Sequence, residues 1–264
     1  MSEGFSSSDY GSDVNGVDMG GIEAATVFET PHAAQTMALS EEDLAEIVAR
    51  TGTVPEIAKY IRRPAPPLLV VLTGPSGVGK DVTLERMEEL GVPFHYAVTV
   101  TTRKQRPGEI NGKHYFFVSN DEYDRMDKNG ELLEHAEIYG NRYGIPRSQV
   151  VDPLRRGKDV IIKPDVQGAQ TLRKKEPEAV FIFLAPPSME EQARRLYYRK
   201  TEDPQELATR LEVARQEMHE LTHFDYLVVN HSNRLDETVH TIEAILQAEK
   251  CRVHPRRIRL AEEP

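Results

Sequence analysis

Short apolar runs alternate with amphipathic segments through most of this 264-residue chain. Four runs have the length and the β-branched or aromatic content of buried strands, and they lie at residues 68–72, 160–162, 179–184 and 226–229. Three segments between or after these runs space their apolar residues three or four positions apart, as helices do, and they begin at Ser188, Asp203 and Leu235. Buried strands that alternate with helices predict an α/β domain with a mostly parallel sheet core flanked by helices.

The stretch from residue 94 to residue 149 departs from this alternation. Residues 94–102 and 115–118 alternate apolar and polar positions, and Ser119 with Glu122 has the spacing of a helix N-terminal cap. Ligands of open α/β sheets bind at the carboxyl ends of the strands. We therefore interpret this stretch as an inserted lobe that covers that edge of the sheet and holds a substrate.

The N-terminal part of the chain has a different composition. Residues 1–39 are rich in Ser, Gly, Asp and Ala with few large apolar groups, so we expect an acidic, disordered tail. Residues 40–67 carry signals for two short helices, one after Ser40 and one with a capping box at Thr53 and Glu56, and then a Pro-rich linker. The two helices could dock on the main domain, which is the default expectation, on a second copy or on a partner.

The net charge of −10 is concentrated near the N-terminus. Residues 1–49 contain ten of the 43 acidic residues and no Lys or Arg. Residues 50–264 therefore have 33 acidic and 33 basic residues. The absence of net charge in residues 50–264 argues against general nucleic-acid binding, because such binding needs a basic surface that contacts many phosphates. The last residues, 251–264, are basic and then acidic, and we expect a solvated tail there, with contact to the acidic N-terminus as the alternative.

Cysteine content and hydropathy limit the cellular setting. The single Cys251 excludes an intrachain disulfide and a zinc site with several cysteines, which fits a reducing compartment. No apolar run approaches the roughly 18 residues of a membrane span. We expect a cytoplasmic protein with no membrane partner and no nucleic-acid partner.

A glycine-rich stretch after the first predicted strand carries the strongest chemical signal. It has the spacing GxxxxGK of a P-loop, in which backbone N–H groups and a helix N-terminus surround a phosphate. Its glycines let the backbone approach the anion, and its lysine supplies charge to the β- and γ-phosphates of a nucleoside triphosphate. The predicted ATP-binding residues of this stretch are Gly74, Pro75, Ser76, Gly77, Val78, Gly79, Lys80 and Asp81.

Asp81 departs from the usual P-loop, in which a Ser or Thr follows the lysine and places its hydroxyl on Mg²⁺. Two interpretations stay open. The carboxylate could be a first-turn acid favoured by the helix dipole, or it could contact Mg²⁺ directly or through water. Asp81 is therefore one candidate metal ligand.

Further motifs follow one another over roughly residues 68–250, at 99–109, 111–118, Glu134, 143–144, 165–168, 185–188, Arg199 and Arg210. Together, and in this spacing, they resemble the guanylate kinase family. The resemblance implies the fold of a P-loop nucleoside monophosphate kinase, with ATP and GMP as partners and Mg²⁺ as cofactor. It implies a core at 68–93 and 150–250, a GMP-binding lobe at about 94–149 and a helical lid at about 199–210.

The resemblance also implies roles for single residues. The phosphate of GMP would be held by guanidinium forks and phenol donors, at Arg103, Arg106, Tyr115 and Tyr143. Glu134 would accept hydrogen bonds from guanine N1–H and the 2-amino group, and Thr99 would donate to the guanine carbonyl oxygen. Asp165 is a further predicted GMP-binding residue.

Phosphoryl transfer would use cations rather than a general base, because the acceptor is already an ionised phosphate oxygen. The resemblance assigns this charge stabilisation to Lys80 and to the lid residues Arg199 and Arg210. Asn230 would contact the adenine of ATP. The implied activity is ATP-dependent phosphorylation of GMP, and of dGMP, to the diphosphate.

Three other positions depart from the family pattern. Lys163 stands where the family has a carboxylate, Ile145 where it has a hydroxyl that contacts guanine, and His114 where it has an Asp. The acid at Asp81 and the base at Lys163 could compensate each other, so we predict an ion pair between them beside the phosphates. The loss of the hydroxyl at Ile145 affects guanine selectivity rather than the type of reaction.

Two other functions stay open. In a catalytically inactive scaffold, the residues of the GMP phosphate site would hold a phosphopeptide, although such a module needs neither Lys80 nor the lid arginines. A related kinase that acts on a sugar phosphate would leave Glu134 and Thr99 without a base to face. The sequence leaves the oligomeric state undecided.

Overall fold

The computed structural model describes residues 40–51, 64–138, 140–198 and 204–261. The chain forms two compact units, Met1–Ala58 and Lys59–Pro264. In the first unit the described part is helix α1, Glu41–Thr51, and the amide of Asp43 donates to Ser40 Oγ at 3.0 Å. Ser40 therefore precedes a helix as predicted, whereas the predicted tail and the second short helix lie outside the described residues.

The described residues of the second unit contain nine strands in two sheets. In chain order they are β1 Leu69–Thr73, β2 His95–Tyr96, β3 Val100–Thr101, β4 Phe116–Phe117, β5 Leu132–Ile138, β6 Asn141–Pro146, β7 Val160–Ile162, β8 Val180–Ala185 and β9 Tyr226–Val229. The larger sheet has the order β2-β7-β1-β8-β9, and all its neighbouring strands are parallel. The four predicted core strands all lie in this sheet, so the predicted α/β architecture is confirmed.

Helices follow the strands along the chain. They are α2 Lys80–Glu89, α3 Asn120–Lys128, α4 Ser148–Arg155, α5 Val166–Lys175, α6 Met189–Tyr198, α7 Pro204–His219 and α8 Leu235–Lys250, with short 3₁₀ turns at Glu220–His223 and Arg259–Ala261. Ser119 Oγ accepts the amide of Glu122 at 3.1 Å, and Ser188 Oγ accepts the amide of Glu191 at 3.1 Å. The serines predicted to begin α3 and α6 therefore make their N-terminal hydrogen bonds.

Strand β1 shows that helices cover both faces of the larger sheet. Leu69 and Val71 join an apolar cluster with residues of α4 and α5, whereas Val70 and Leu72 join a second cluster with residues of α2 and α8. All four side chains are at most 1% exposed. Because successive side chains of a strand point to opposite faces, the uninterrupted apolar run of β1 serves two cores at once.

The smaller sheet, with the order β4-β3-β6-β5, forms the inserted lobe. Strand β6 pairs antiparallel with both β3 and β5, and β4 pairs parallel with β3. Strand β2 does not belong to the lobe, because His95 pairs with Val160 of β7 in the larger sheet. The lobe therefore begins after β2, later than the predicted residue 94. The boundary was misplaced because apolar and polar residues alternate in an edge strand of the core as they do in a strand of the lobe.

The segment after α8 is not the solvated tail that the sequence predicts. Ile258 and Leu260 are 6% and 7% exposed, and both pack in a core cluster. Arg256 Nε lies 2.8 Å from Glu249 Oε2, and the amide of Leu260 donates to Glu176 Oε2 at 3.0 Å. The basic residues pair with core carboxylates while two apolar side chains anchor the segment, so the domain extends to at least residue 261.

Candidate active site

Two glycines show why the loop between β1 and α2 needs residues without a side chain. Gly74 has a φ of +148°, and a Cβ there would lie 2.0 Å from the carbonyl oxygen of Leu184. Gly79 has a φ of +107°, and its Cβ would lie 2.5 Å from Nδ2 of Asn230. Both the backbone conformation and the space therefore exclude other residues, and the loop is held close to β8 and to the end of β9.

Three side chains from outside the loop hold its carbonyl groups. Asn230 Nδ2 donates to the carbonyl of Val78 at 2.9 Å, and Arg195 Nη1 donates to the same carbonyl at 3.0 Å. Gln192 Nε2 donates to the carbonyl of Ser76. These bonds stabilise the curved backbone whose amides a P-loop uses to bind phosphate.

Asn230 lies close to the loop, but its side chain does not support the predicted contact with adenine. It is 5% exposed, its amide nitrogen donates to Val78, and its Oδ1 accepts from Thr238 Oγ1 at 3.2 Å. Both ends of the side chain are thus engaged within the protein. We assign Asn230 to bracing the loop, a role that its position at the end of β9 did not reveal.

Lys80 begins α2 and folds back over the loop. Its Nζ donates to the carbonyl of Gly74 at 2.6 Å and to that of Pro75 at 3.3 Å. Burial lowers the pKa of Lys80, while the carboxylates of Glu217 and Asp81 oppose this shift. The ammonium is therefore held against the loop itself, in a setting that a phosphate would improve by adding negative charge.

Glu217 on α7 is a site residue that the sequence pattern did not indicate. Burial raises the pKa of Glu217, and the nearby ammonium of Lys80 and the amide of Ser76 oppose this shift. Its Oε2 is buried and has no hydrogen-bond partner among the described residues. The one signal in the sequence is its position three residues after buried Ala214, on the inward side of the same helix.

Arg210 is the predicted lid arginine that the structure describes. It lies on α7, and its Nη2 donates to Ser76 Oγ at 2.7 Å. This contact places a guanidinium at the phosphate loop, although its part in transfer stays a prediction. Arg199 lies outside the described residues, so its role also stays a prediction.

The predicted ion pair between Asp81 and Lys163 is confirmed. Lys163 Nζ donates to Asp81 Oδ1, and the lysine side chain is 6% exposed while the aspartate side chain is 50% exposed. The ammonium lies 5.3 Å from the ring centroid of Tyr96 and 4.6 Å from that of Tyr115. Burial opposes the charge on Lys163, but the tyrosines and Asp81 outweigh it and raise its pKa, so the lysine is charged at neutral pH.

The predicted phosphate ligands Arg103, Tyr115 and Tyr143 form one cluster in the lobe. Arg103 Cζ lies 5.2 Å from the ring centroid of Tyr115, and the rings of Tyr115 and Tyr143 are 6.1 Å apart. Glu109 binds Arg103 through two hydrogen bonds of 2.8 and 3.0 Å and also accepts the amide of Arg106 at 2.7 Å. Glu109, which the sequence did not single out, therefore orients the guanidinium, while the Arg106 side chain is exposed.

Glu134 on β5 is a buried acid, and the partly buried acid Asp165 precedes α5 close to it. Glu134 is 5% exposed, and its Oε1 has no hydrogen-bond partner among the described residues. Burial raises the pKa of Glu134 to about 7, with Asp165 adding to the shift and Lys175 opposing it. Asp165 caps α5 by accepting the amide of Gly168 at 2.9 Å, and a Cβ on Gly168 would lie 2.7 Å from Glu134 Oε1. The space beside Glu134 thus depends on this glycine.

Three further predicted or divergent positions lie in the lobe. Thr99 is 7% exposed directly before β3. Ile145 pairs with Glu134 between β6 and β5 and is 1% exposed in an apolar cluster, so packing replaces the family's hydroxyl. His114 Nε2 lies 3.4 Å from Glu85 Oε1 on α2, which joins the lobe to the P-loop helix. Contact of Glu134 and Thr99 with a base stays a prediction.

The described residues contain no group of three or more His, Cys, Asp or Glu side chains that could hold a metal ion. Asp81 is half-exposed in the first turn of α2, directly after Lys80. Mg²⁺ at nucleotide sites keeps several waters and takes one or two carboxylates plus the phosphates of the substrate. A single carboxylate such as Asp81 fits an ion that arrives with ATP, although one of its oxygens bonds to Lys163.

Residues 67–249 match the family model for guanylate kinase. Guanylate kinase 2, chloroplastic/mitochondrial, from Oryza sativa subsp. japonica is 43% identical over 198 residues, which cover 75% of this chain and 70% of that protein. The guanylate kinase of Lactococcus lactis subsp. lactis is 44% identical over 186 residues, 70% of this chain and 90% of that protein. The crystal structure of guanylate kinase from Anaplasma phagocytophilum is similar with a TM-score of 0.59 and 36% identity, over 72% of this chain and 89% of that one.

Proposed function

Because this chain belongs to the guanylate kinase family, we propose that it transfers the γ-phosphoryl group of ATP to the phosphate of GMP and of dGMP. The products are ADP and the guanosine or deoxyguanosine diphosphate. The observation that supports this acceptor most strongly is Glu134, a buried carboxylate with an unpartnered oxygen in the same domain as a P-loop. An enzyme that selects a base needs such a group, because the unpaired oxygen disfavours any base that cannot donate to it.

Guanine and Glu134 are complementary in hydrogen bonding. Guanine presents N1–H and a 2-amino group on one edge, and an ionised carboxylate accepts from both. Adenine offers no such pair of donors, so it would leave a buried acceptor unsatisfied. Thr99 donates to the guanine carbonyl oxygen. The predicted contacts reach the base and the phosphate and not the ribose, which is why dGMP is included as an acceptor.

Transfer depends on holding two phosphate groups in line. Arg103, Tyr115 and Tyr143 hold the acceptor phosphate, and the P-loop with Lys80 holds the donor. Arg210 stabilises the charge that spreads over the oxygens of the transferring group, and by family resemblance Arg199 does the same. The acceptor oxygen is already ionised, so alignment and charge neutralisation supply the rate.

We assign Asp81 as the protein ligand of Mg²⁺ that accompanies ATP. The ion would supply positive charge that offsets the negative charge of the phosphates during transfer. Lys163 holds the carboxylate of Asp81 in the first turn of α2, next to Lys80. Removal of Mg²⁺ with EDTA is therefore expected to abolish turnover, and a loss of ADP formation that excess Mg²⁺ restores would show that turnover requires the ion.

The activity test is ADP formation from Mg²⁺-ATP with GMP, dGMP, AMP, CMP or UMP as acceptor. Lys80→Ala is the inactive control, and Lys128→Ala, at an exposed position at the end of α3, is its matched control. We expect turnover with GMP and dGMP alone, lost in the first variant and kept in the second. Binding of GMP without turnover of any acceptor would contradict the proposal and favour the scaffold function.

Partners and location follow from weaker features and stay predictions. Among the described residues, no helix is long and apolar enough to cross a membrane. Cys251 is exposed and unpaired with another cysteine, which suits a reducing compartment such as the cytoplasm. We propose a cytoplasmic enzyme of purine nucleotide metabolism without a nucleic-acid partner. Fractionation and light scattering would establish its compartment and its oligomeric state.

A further inference from the structure

Lys163 connects the two sides of the active site. On the ATP side, its ammonium donates to Asp81, the residue that follows Lys80 in the P-loop motif. On the GMP side, the same ammonium lies 4.6 Å from the ring centroid of Tyr115. The ammonium of Lys163 thus contacts both α2, which begins at the loop for the donor phosphates, and Tyr115, which belongs to the acceptor phosphate site.

The two members of the ion pair differ in burial. The side chain of Lys163 is 6% exposed and enclosed by Tyr96 and Tyr115, whereas that of Asp81 is 50% exposed. A buried ammonium requires an anion beside it, because its desolvation is costly. Asp81 can turn into water without such a penalty. The lysine is therefore the fixed member, and its anionic partner is the member that can be exchanged.

Arg103, the second cation beside Tyr115, is also paired with a carboxylate. Its Cζ lies 5.2 Å from the tyrosine ring centroid, and Glu109 binds its guanidinium through two hydrogen bonds. Both cations near Tyr115 are thus paired with a carboxylate in this structure. A phosphate carries more negative charge than a carboxylate and offers three acceptor oxygens, so it can compete for either cation.

We propose that Lys163 is a ligand of the GMP phosphate, and that this phosphate replaces Asp81 as the partner of the lysine when GMP binds. The proposal rests on the proposed function, because Tyr115 borders an acceptor phosphate only if the lobe holds GMP. An ammonium at this place lies between two groups of anionic oxygens that must approach each other for transfer. It lowers their mutual repulsion before the reaction begins.

The test compares GMP with guanosine, which lacks the phosphate, by calorimetry in the absence of ATP. Lys163→Met keeps the length of the side chain and removes its charge, and Lys158→Met, at an exposed position before β7, is the matched control. We expect the GMP dissociation constant of Lys163→Met to rise about tenfold or more, with that of guanosine unchanged. Lys158→Met should change neither.

Asp81→Asn supplies the opposite change, because it removes the competing carboxylate and leaves the lysine. GMP should bind this variant more tightly, by about threefold or more, and should raise its melting temperature by more than in the original protein. Equal loss of GMP and guanosine binding in Lys163→Met would assign the lysine a structural role and overturn the proposal, as would no loss at all.

If Lys163→Met does not fold, Asp81→Asn decides alone, and weaker GMP binding by this variant would overturn the proposal. Failure of the original protein to bind either GMP or guanosine would contradict the proposed function itself, and the role of Lys163 with it. Binding of both ligands by the original protein, with the expected change in the variants, would support both.

Discussion

The phosphate loop and the inserted lobe, which we propose bind the donor and acceptor phosphates, are built by different means. The loop presents main-chain amides, and its shape is imposed at Gly74 and Gly79, where any side chain would strike neighbouring atoms. The lobe relies on side chains whose charges are paired in this structure, as between Arg103 and Glu109. The shape of the loop is therefore fixed by steric constraints, whereas the anion affinity of the lobe depends on the charges of its side chains. Substitutions in the two regions should therefore fail in different ways.

The largest effect is expected from glycine substitutions that compare the two regions directly. In the loop, Gly74→Ala places a Cβ 2.0 Å from a main-chain oxygen, and it should cost about 3 kcal/mol of unfolding free energy or more. In the lobe, Gly140 has a φ of +72° with nothing within 4 Å of a Cβ, so Gly140→Ala should cost only about 1–2 kcal/mol of conformational strain. Urea denaturation measures both. Equal losses would show that the loop is not sterically fixed.

Glu134→Gln tests the lobe by charge rather than by sterics. The amide keeps the size of the side chain but presents a donor or a neutral acceptor where guanine offers two donors. We expect kcat/KM for GMP to fall about 100-fold while the KM for ATP changes little. Steady-state kinetics with each substrate varied in turn measures this. A comparable rise in the KM for ATP would mean that the two sites are not separable.

The same acid predicts a pH dependence in guanine binding. Burial and the neighbouring Asp165 raise the pKa of Glu134 to about 7, from an ordinary value of 4.5. The folded protein without ligand binds a proton that the unfolded chain releases, so the stability contributed by this group is present below about pH 4.5 and is lost as the pH rises through about 7.

Guanine requires the ionised acid, so its affinity has the opposite dependence. Guanosine should bind more tightly by about tenfold as the pH rises from about 6 to about 8. Guanosine is the preferred probe, because the phosphate of GMP titrates near pH 6 by itself. In Glu134→Gln the dependence should disappear, and if calorimetry shows the same slope in this variant, another group is responsible.

A smaller effect is expected at Asn230, which braces the loop from outside. Asn230→Ala removes the donor to Val78 and the acceptor of Thr238. The KM for ATP should rise by about tenfold or less, and guanosine binding should be unchanged. Thr238→Val, which removes only one of these bonds, should have a weaker effect in the same direction. An effect on guanosine as large as that on ATP would contradict the separation of the two sites.

Local sequence predicts the loop better than it predicts the lobe. The GxxxxGK spacing between a strand and a helix is enough to place Gly74, Gly79 and Lys80, because the chain itself sets their relation. The ion pair of Asp81 and Lys163 was also predictable. Lys163 follows β7, Asp81 follows the loop after β1, and these two strands are parallel neighbours. The ion-pair prediction also needed the family pattern, from which Asp81 and Lys163 both depart.

The remaining contacts depend on tertiary structure, which periodicity does not encode. Glu217 meets Lys80 only because α7 packs near the loop, and only its position three residues after Ala214 distinguishes it from a surface acid. Asn230 lies close to the loop, but the direction of its amide depends on Val78 and Thr238. The C-terminal segment was misjudged for a similar reason, because its two apolar residues pack in a cluster built from distant parts of the chain.

The central claim is that one domain transfers phosphate from ATP to a guanine nucleotide. Its most direct test supplies ATP labelled at the γ-phosphate together with equal concentrations of GMP and AMP, and it follows the label by chromatography. We predict that the label appears in GDP and is nearly absent from ADP, and that Glu134→Gln loses most of this transfer. Label found mainly in ADP or in inorganic phosphate would contradict the account.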